Sequence, residues 1–137
     1  GLNYSVNGKV SGGSNICFAP KVYNEAFDNK PLSTSWGPLG GLKNIIYYYN
    51  NTSLSENLND KKKIISINFI NSEGKMMNKQ YELNSDEILK LDVSKNKELD
   101  FHFDKKVGWC FLKTDNNYSN SWYFQFGKDM IGGDHAF

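Results

Sequence analysis

The chain has 137 residues, a net charge of +1 and 15% aromatic residues. That length fits one domain, residues 1–137, able to bury roughly two-thirds of its unfolded surface without a structural metal or several disulfides. All sixteen cations are Lys and none is Arg, and a near-neutral chain without guanidinium forks argues against a dedicated nucleic-acid reader.

Taken in chain order, Leu2, Tyr4 and Val6 alternate and Asn7-Gly8 signals a tight turn, so a first strand turning back at Val10 is expected. Ser11-Gly12-Gly13-Ser14 reads as a flexible loop. Ile16-Cys17-Phe18 reads as a short strand stopped by Pro20. Residues 24–43 carry Pro31, Pro38, Gly37, Gly40 and Gly41 and are expected to form one long irregular loop. Trp36 sits in its middle, either as a ligand platform or as a plug pinning the loop to the core.

Ile45-Ile46-Tyr47-Tyr48-Tyr49 is rich in strand formers, with Tyr47 and Tyr49 facing one way and Tyr48 the other. Residues 64–70 and 76–83 form a predicted hairpin around Asn71-Ser72-Glu73-Gly74. A further strand is expected over 88–93. Leu99-Asp-Phe-His-Phe-Asp104 alternates strictly and predicts another, with Leu99, Phe101 and Phe103 inward. Val107, Trp109 and Phe111, then Trp122, Phe124 and Phe126, continue that inward aromatic face. Tyr123 and Gln125 would then point outward. Residues 131–137 read as a loose end.

Eight or nine short strands without an extended helical period predict an all-β chain. The expected architecture is a single antiparallel β-sandwich, jelly-roll or Ig-like, of about eight strands with one long Pro/Gly-rich loop. Cys17 and Cys110 would close a loop of about ninety residues if bridged, worth about 4–5 kcal/mol. Otherwise they are small buried hydrophobes. Nothing in the sequence approaches the roughly 18 apolar residues of a membrane span. No secretory leader is visible, so a mature form or a domain of a longer protein is expected.

Catalytic signatures are missing: there is no GxSxG, HExxH, P-loop or dinucleotide fingerprint. Asp100, His102 and Asp104 would stand about 6.5–7 Å apart along one strand face, and reaching a shared metal would need His135 or a carboxylate from elsewhere. They read as a solvent-facing row. Asp115, joined by Asp129 and Asp134, offers hard oxygen ligands of the kind calcium takes. Trp36, Asp115, Asn116, Asn117, Tyr118, Trp122 and Tyr123 combine rings that pack on sugar C–H faces with amides and carboxylates that hold hydroxyls.

Tyr118-Ser119-Asn120-Ser121-Trp122 is similar, over five residues, to an aromatic headgroup-binding stretch of actinoporin-type pore-forming cytolysins. The sequence carries no long amphipathic helix such as that family has. The resemblance implies a membrane surface as one partner. The overall expectation is a secreted or surface-exposed, non-enzymatic binding module. A lectin-like glycan binder leads, its site formed by the loop 28–42 and the turn 115–122. The alternatives are a protein–protein domain (adhesin, surface antigen or inhibitor) recognising a cell-surface protein, and a membrane-binding or toxin subunit.

Overall fold

The computed structural model describes residues 2–6, 9–15, 33–41, 44–51, 62–116, 119–126 and 131–136. Among them lie ten strands: β1 Leu2–Val6, β2 Lys9–Asn15, β3 Ser33–Gly40, β4 Ile45–Asn50, β5 Lys63–Ile70, β6 Met76–Leu83, β7 Ile88–Leu91, β8 Val107–Thr114, β9 Asn120–Phe126 and β10 Ile131–His135. A 3-10 turn, Val93–Lys95, and one helix, α1 Lys97–Phe103, separate β7 from β8. The chain is mostly β, as expected. All ten strands belong to one sheet, in the order β1-β2-β10-β9-β4-β3-β8-β5-β6, with β7 on β4. Every pairing is antiparallel except the short parallel contact of β10 with β2.

Several expectations hold. β1 and β2 form a hairpin with a bulge at Tyr4/Ser5, and β5 and β6 pair from Lys63–Leu83 to Ile70–Met76. The Asn71 carboxamide oxygen accepts from Glu73 N and Lys75 N, closing that second turn. Tyr47 and Tyr49 are fully buried and Tyr48 is not.

The stretch 99–104 is not a strand. Asn96 Oδ1 accepts from the amides of Glu98 and Leu99, both at 3.1 Å, and caps a helix. Glu98 and Asp100 sit in its first turn, where carboxylates favour the helix dipole. Asp104, in left-handed conformation at φ 49°, ends it. Leu99 and Phe103, four apart, both face the core at 1% exposure, while Phe101 is 89% exposed. Alternation over five residues put Phe101 inward, but the helical period turns it away. The row of Asp100, His102 and Asp104 dissolves with it. His102 instead lies with Nε2 3.1 Å from the carbonyl of Phe69, and its own carbonyl accepts from Asn71 Nδ2, tying α1 to the β5–β6 hairpin.

Of the expected long loop 24–43, the described residues 33–41 hold a strand, and 24–32, 42 and 43 lie outside the described residues. β3 pairs with β8 along its whole length, from Ser33–Thr114 to Gly40–Val107, but touches β4 through the single pair Gly40–Ile45. Along most of β3 one edge therefore has no ladder, and Pro38, which cannot donate, is tolerated there. Two other loops were misread in the same direction: β2 runs through Gly12-Gly13, and the expected loose end holds β10. The expected strand at 16–18 lies outside the described residues.

The core gathers Leu39 of β3, Tyr47 and Tyr49 of β4, Ile65, Ile67 and Phe69 of β5, Cys110 and Leu112 of β8, and Leu99 and Phe103 of α1. Cys110 is a free, buried thiol whose Sγ–H donates to the Gly37 carbonyl at 3.6 Å. Burial pushes its pKa up, so it serves as a small hydrophobe. Cys17 lies outside the described residues.

Candidate functional site

The inner faces of β3 and β8 are built from small or slender residues because bulky neighbours already fill that space. A Cβ on Gly37 would meet Tyr47 at 3.1 Å and Tyr123 at 3.3 Å. One on Gly108 would run into the Phe103 ring and the Ile70 carbonyl. Gly37, Leu39, Gly108, Cys110 and Leu112 therefore face in. By the two-residue period, Trp36, Pro38, Trp109 and Phe111 must face out. Trp109 and Phe111, expected inward, are corrected by this packing. Val107 goes with them, 45% exposed.

On that outer face the strand registers set the side chains in rows. One row runs Trp36, Phe111, Asn68, Asn78, and the next runs Pro38, Trp109, Ile70, Met76. Trp36 and Trp109, 42% and 46% exposed, lie on the diagonal between β3 and β8. Their ring centroids are 5.6 Å apart with the planes tilted by 53°. Lys113 Nζ stands 5.8 Å over the Phe111 ring. Beside the rings, Asn78 Nδ2 donates to Asn68 Oδ1 at 2.7 Å and to Ser66 Oγ at 3.1 Å, a polar ladder across β5 and β6. Thus two indoles, a phenyl ring and an ammonium adjoin a strip of amides and hydroxyls.

The other expected site residues do not join Trp36. Asn116 is 7% exposed and is spent on structure. Its Nδ2 donates to Asn51 Oδ1 at 2.8 Å and its backbone N–H to Thr114 Oγ1 at 3.0 Å. Asn51 also donates to the Asn84 carbonyl, and the Tyr49 hydroxyl lies 3.3 Å from both Asn51 Oδ1 and Thr114 Oγ1. This buried network pins the turn after β8 to the core. Asp115 is exposed beside it, 3.3 Å from Lys63 Nζ. Asn117, Tyr118 and Asp129 lie outside the described residues.

Trp122 and Tyr123 exchange their expected directions. Ser121 is buried and its hydroxyl lies 2.9 Å from that of Ser35, which in turn meets the Tyr47 hydroxyl at 2.7 Å. Tyr123, two residues on, packs on the core and against the Gly37 position. Burial, then the charge of Asp134, raises the Tyr123 pKa. Trp122, Phe124 and Phe126 take the opposite side, with Tyr48 opposite Trp122 across the ladder. Because Ser35 and Ser121 meet in the core, their neighbours Trp36 and Trp122 point away from each other. Asp134 Oδ1 accepts from the His135 backbone N–H and lies 2.8 Å from His135 Nδ1. Among the described residues no three His, Cys, Asp or Glu side chains gather as metal ligands, and no helix is long and apolar enough to cross a membrane.

The sequence signal for the outward rings was Lys113. It shares the face of Val107, Trp109 and Phe111, whereas Gly108, Cys110, Leu112 and Thr114 carry no charge. Comparison with known proteins finds no matching family model, no matching curated protein and no matching solved structure.

Proposed function

We propose that the protein is a non-enzymatic carbohydrate-binding module of the extracellular space or cell surface, taking its ligand on the outer face of β3 and β8. The observation that carries this reading is the pair of half-exposed indoles, Trp36 and Trp109, beside the Ser66–Asn68–Asn78 ladder. An indole offers its face to the C–H face of a pyranose. Amides, hydroxyls and the Lys113 ammonium then take sugar hydroxyls. The 53° tilt suits a glycan that turns between successive residues rather than a flat crystalline surface. We take the sheet to close as a β-sandwich around the shared core, leaving this face outside. Relative to the loop site expected from sequence, the reading keeps Trp36 and the chemistry, and replaces the turn at 115–122 with Trp109 and Phe111.

A protein partner is the second reading. It draws on Ile70, Val107 and Met76, which extend the apolar surface beyond the rings. Contiguous apolar patches of this kind mark interaction sites, and Trp is a frequent hot spot.

A glycan-array screen of labelled protein, run with calcium and again with a chelator, tests the proposal. Specific binding that survives chelation is expected, since the residues of this face named above carry no carboxylate. Binding lost on chelation would return the site to the acidic loops. A blank array would remove the carbohydrate reading and leave the protein partner.

A further inference from the structure

A cavity of about 260 Å³ opens on the other side of β6, between β6, β7 and α1. Leu91 and Leu99 contribute apolar lining, Tyr81 lines it from β6, and Lys90, Lys95 and Asn96 line it from β7, the 3-10 turn and the helix cap. Asp92 completes the lining, with Oδ1 held by the Ser94 amide and hydroxyl. The chemistry of the set is one-sided. The Asn96 oxygen is committed to the α1 amides, so its NH₂ turns away from them. Among the described residues that NH₂, the Tyr81 hydroxyl and both ammonium groups have no hydrogen-bond or ion-pair partner. Burial raises the Tyr81 pKa, so its hydroxyl keeps its proton and remains a donor. Two lysines and one aspartate are among its lining residues.

We propose that this cavity is a second binding site, for a single-ring molecule bearing one carboxylate. Lys90 and Lys95 take the charge by ammonium–carboxylate hydrogen bonds, Tyr81 and Asn96 donate to the remaining oxygens, and the ring lies against Leu91, Leu99 and the Tyr81 face. The volume lies just under the roughly 300–1,000 Å³ of drug-sized sites, which limits the occupant to about one ring. Tyr81 belongs to the inner residue set of β6, and Asn78 belongs to the outer set, beside Trp36 and Trp109. The two sites are therefore on opposite sides of the strand, and either can fail without the other.

The test is an amide NMR titration of the whole chain with sodium glucuronate, sodium benzoate and glucose, each to about 10 mM, the weak end of specific binding. Saturable shifts of Leu91, Asn96 and Leu99 are expected with a carboxylate ligand. Saturation by glucuronate alone identifies a sugar acid, and saturation by benzoate alone an aromatic acid. Replacing both exposed lysines, as K90Q/K95Q, should weaken binding at least about tenfold while the rest of the spectrum stays in place. Tyr81→Phe should weaken it by a few-fold. No saturation by either acid, equal binding of glucose, or unchanged affinity in K90Q/K95Q would overturn the proposal.

Discussion

The two faces of β8 divide its residues against the simple rule of large apolar side chains inward. Gly108, Cys110, Leu112 and Thr114 face the core, while Val107, Trp109, Phe111 and Lys113 face out. The reason lies in the neighbours. Tyr47 and Tyr49 of β4, Phe69 of β5 and Phe103 of α1 already fill the interior. β3 and β8 can contribute only slender residues there, and their indoles are left outside. Under the proposed function this aromatic face is the binding surface, and substitutions on the two faces should separate stability from recognition.

The largest effects belong to the inner face. Phe103→Ala should cost about 3–5 kcal/mol, and Gly108→Val about 3 kcal/mol or more, because its side chain meets both the Phe103 ring and the Ile70 backbone. Denaturant unfolding measures both. Equal costs for Phe101→Ala and Phe103→Ala would restore the strand reading of residues 99–104. Asn51→Ala should cost about 2–3 kcal/mol, since it leaves buried partners around Tyr49, Asn84 and Asn116 unsatisfied.

Alkaline pH sharpens the same contrast. Burial raises the pKa of Tyr47 and Tyr49. Below about pH 10 both phenols are neutral in either state and their contribution is whole. Above it the unfolded chain ionises first, so stability should fall as pH rises toward the higher folded values. A thermal midpoint unchanged between pH 9 and 11, to within about a degree, would contradict this. On the outer face, Trp36→Ala and Trp109→Ala should shift stability by less than about 1 kcal/mol, and on the exposed side of α1 Phe101→Ala by no more than about 0.5 kcal/mol.

How far the sequence could be read follows from how each residue set signals its face. β4, β5 and β6 were legible because a run of β-formers, or a hairpin with a clear Asn-Ser-Glu-Gly turn, leaves one interpretation. The stretch 99–104 misled because a helix of two turns and a strand of five residues share apolar positions at i and i+4. Only the middle residue, Phe101, distinguishes them, and it happens to be apolar. The cap at Asn96 was the available cue. β3 was hidden by Pro38, whose cost depends on whether the strand has a partner on that edge, a tertiary fact. For β8 the sequence offered only Lys113 as a cue to the outer set, and for β9 the aromatic set Trp122, Phe124 and Phe126 read as the inward one, whereas the directions are decided by volumes supplied by α1 and β4. Trp36 was therefore visible as a candidate, whereas its companion Trp109 emerged only once the core was filled.

The most direct test of the outer-face platform is a fluorescence titration with the best glycan from the array, on wild-type protein and on W36A, W109A and W122A variants. The account predicts that W36A and W109A each lose binding with the melting temperature shifted by no more than about 5 °C, while W122A keeps it. Binding that persists in a W36A/W109A double variant, or that disappears only in W122A, would contradict it.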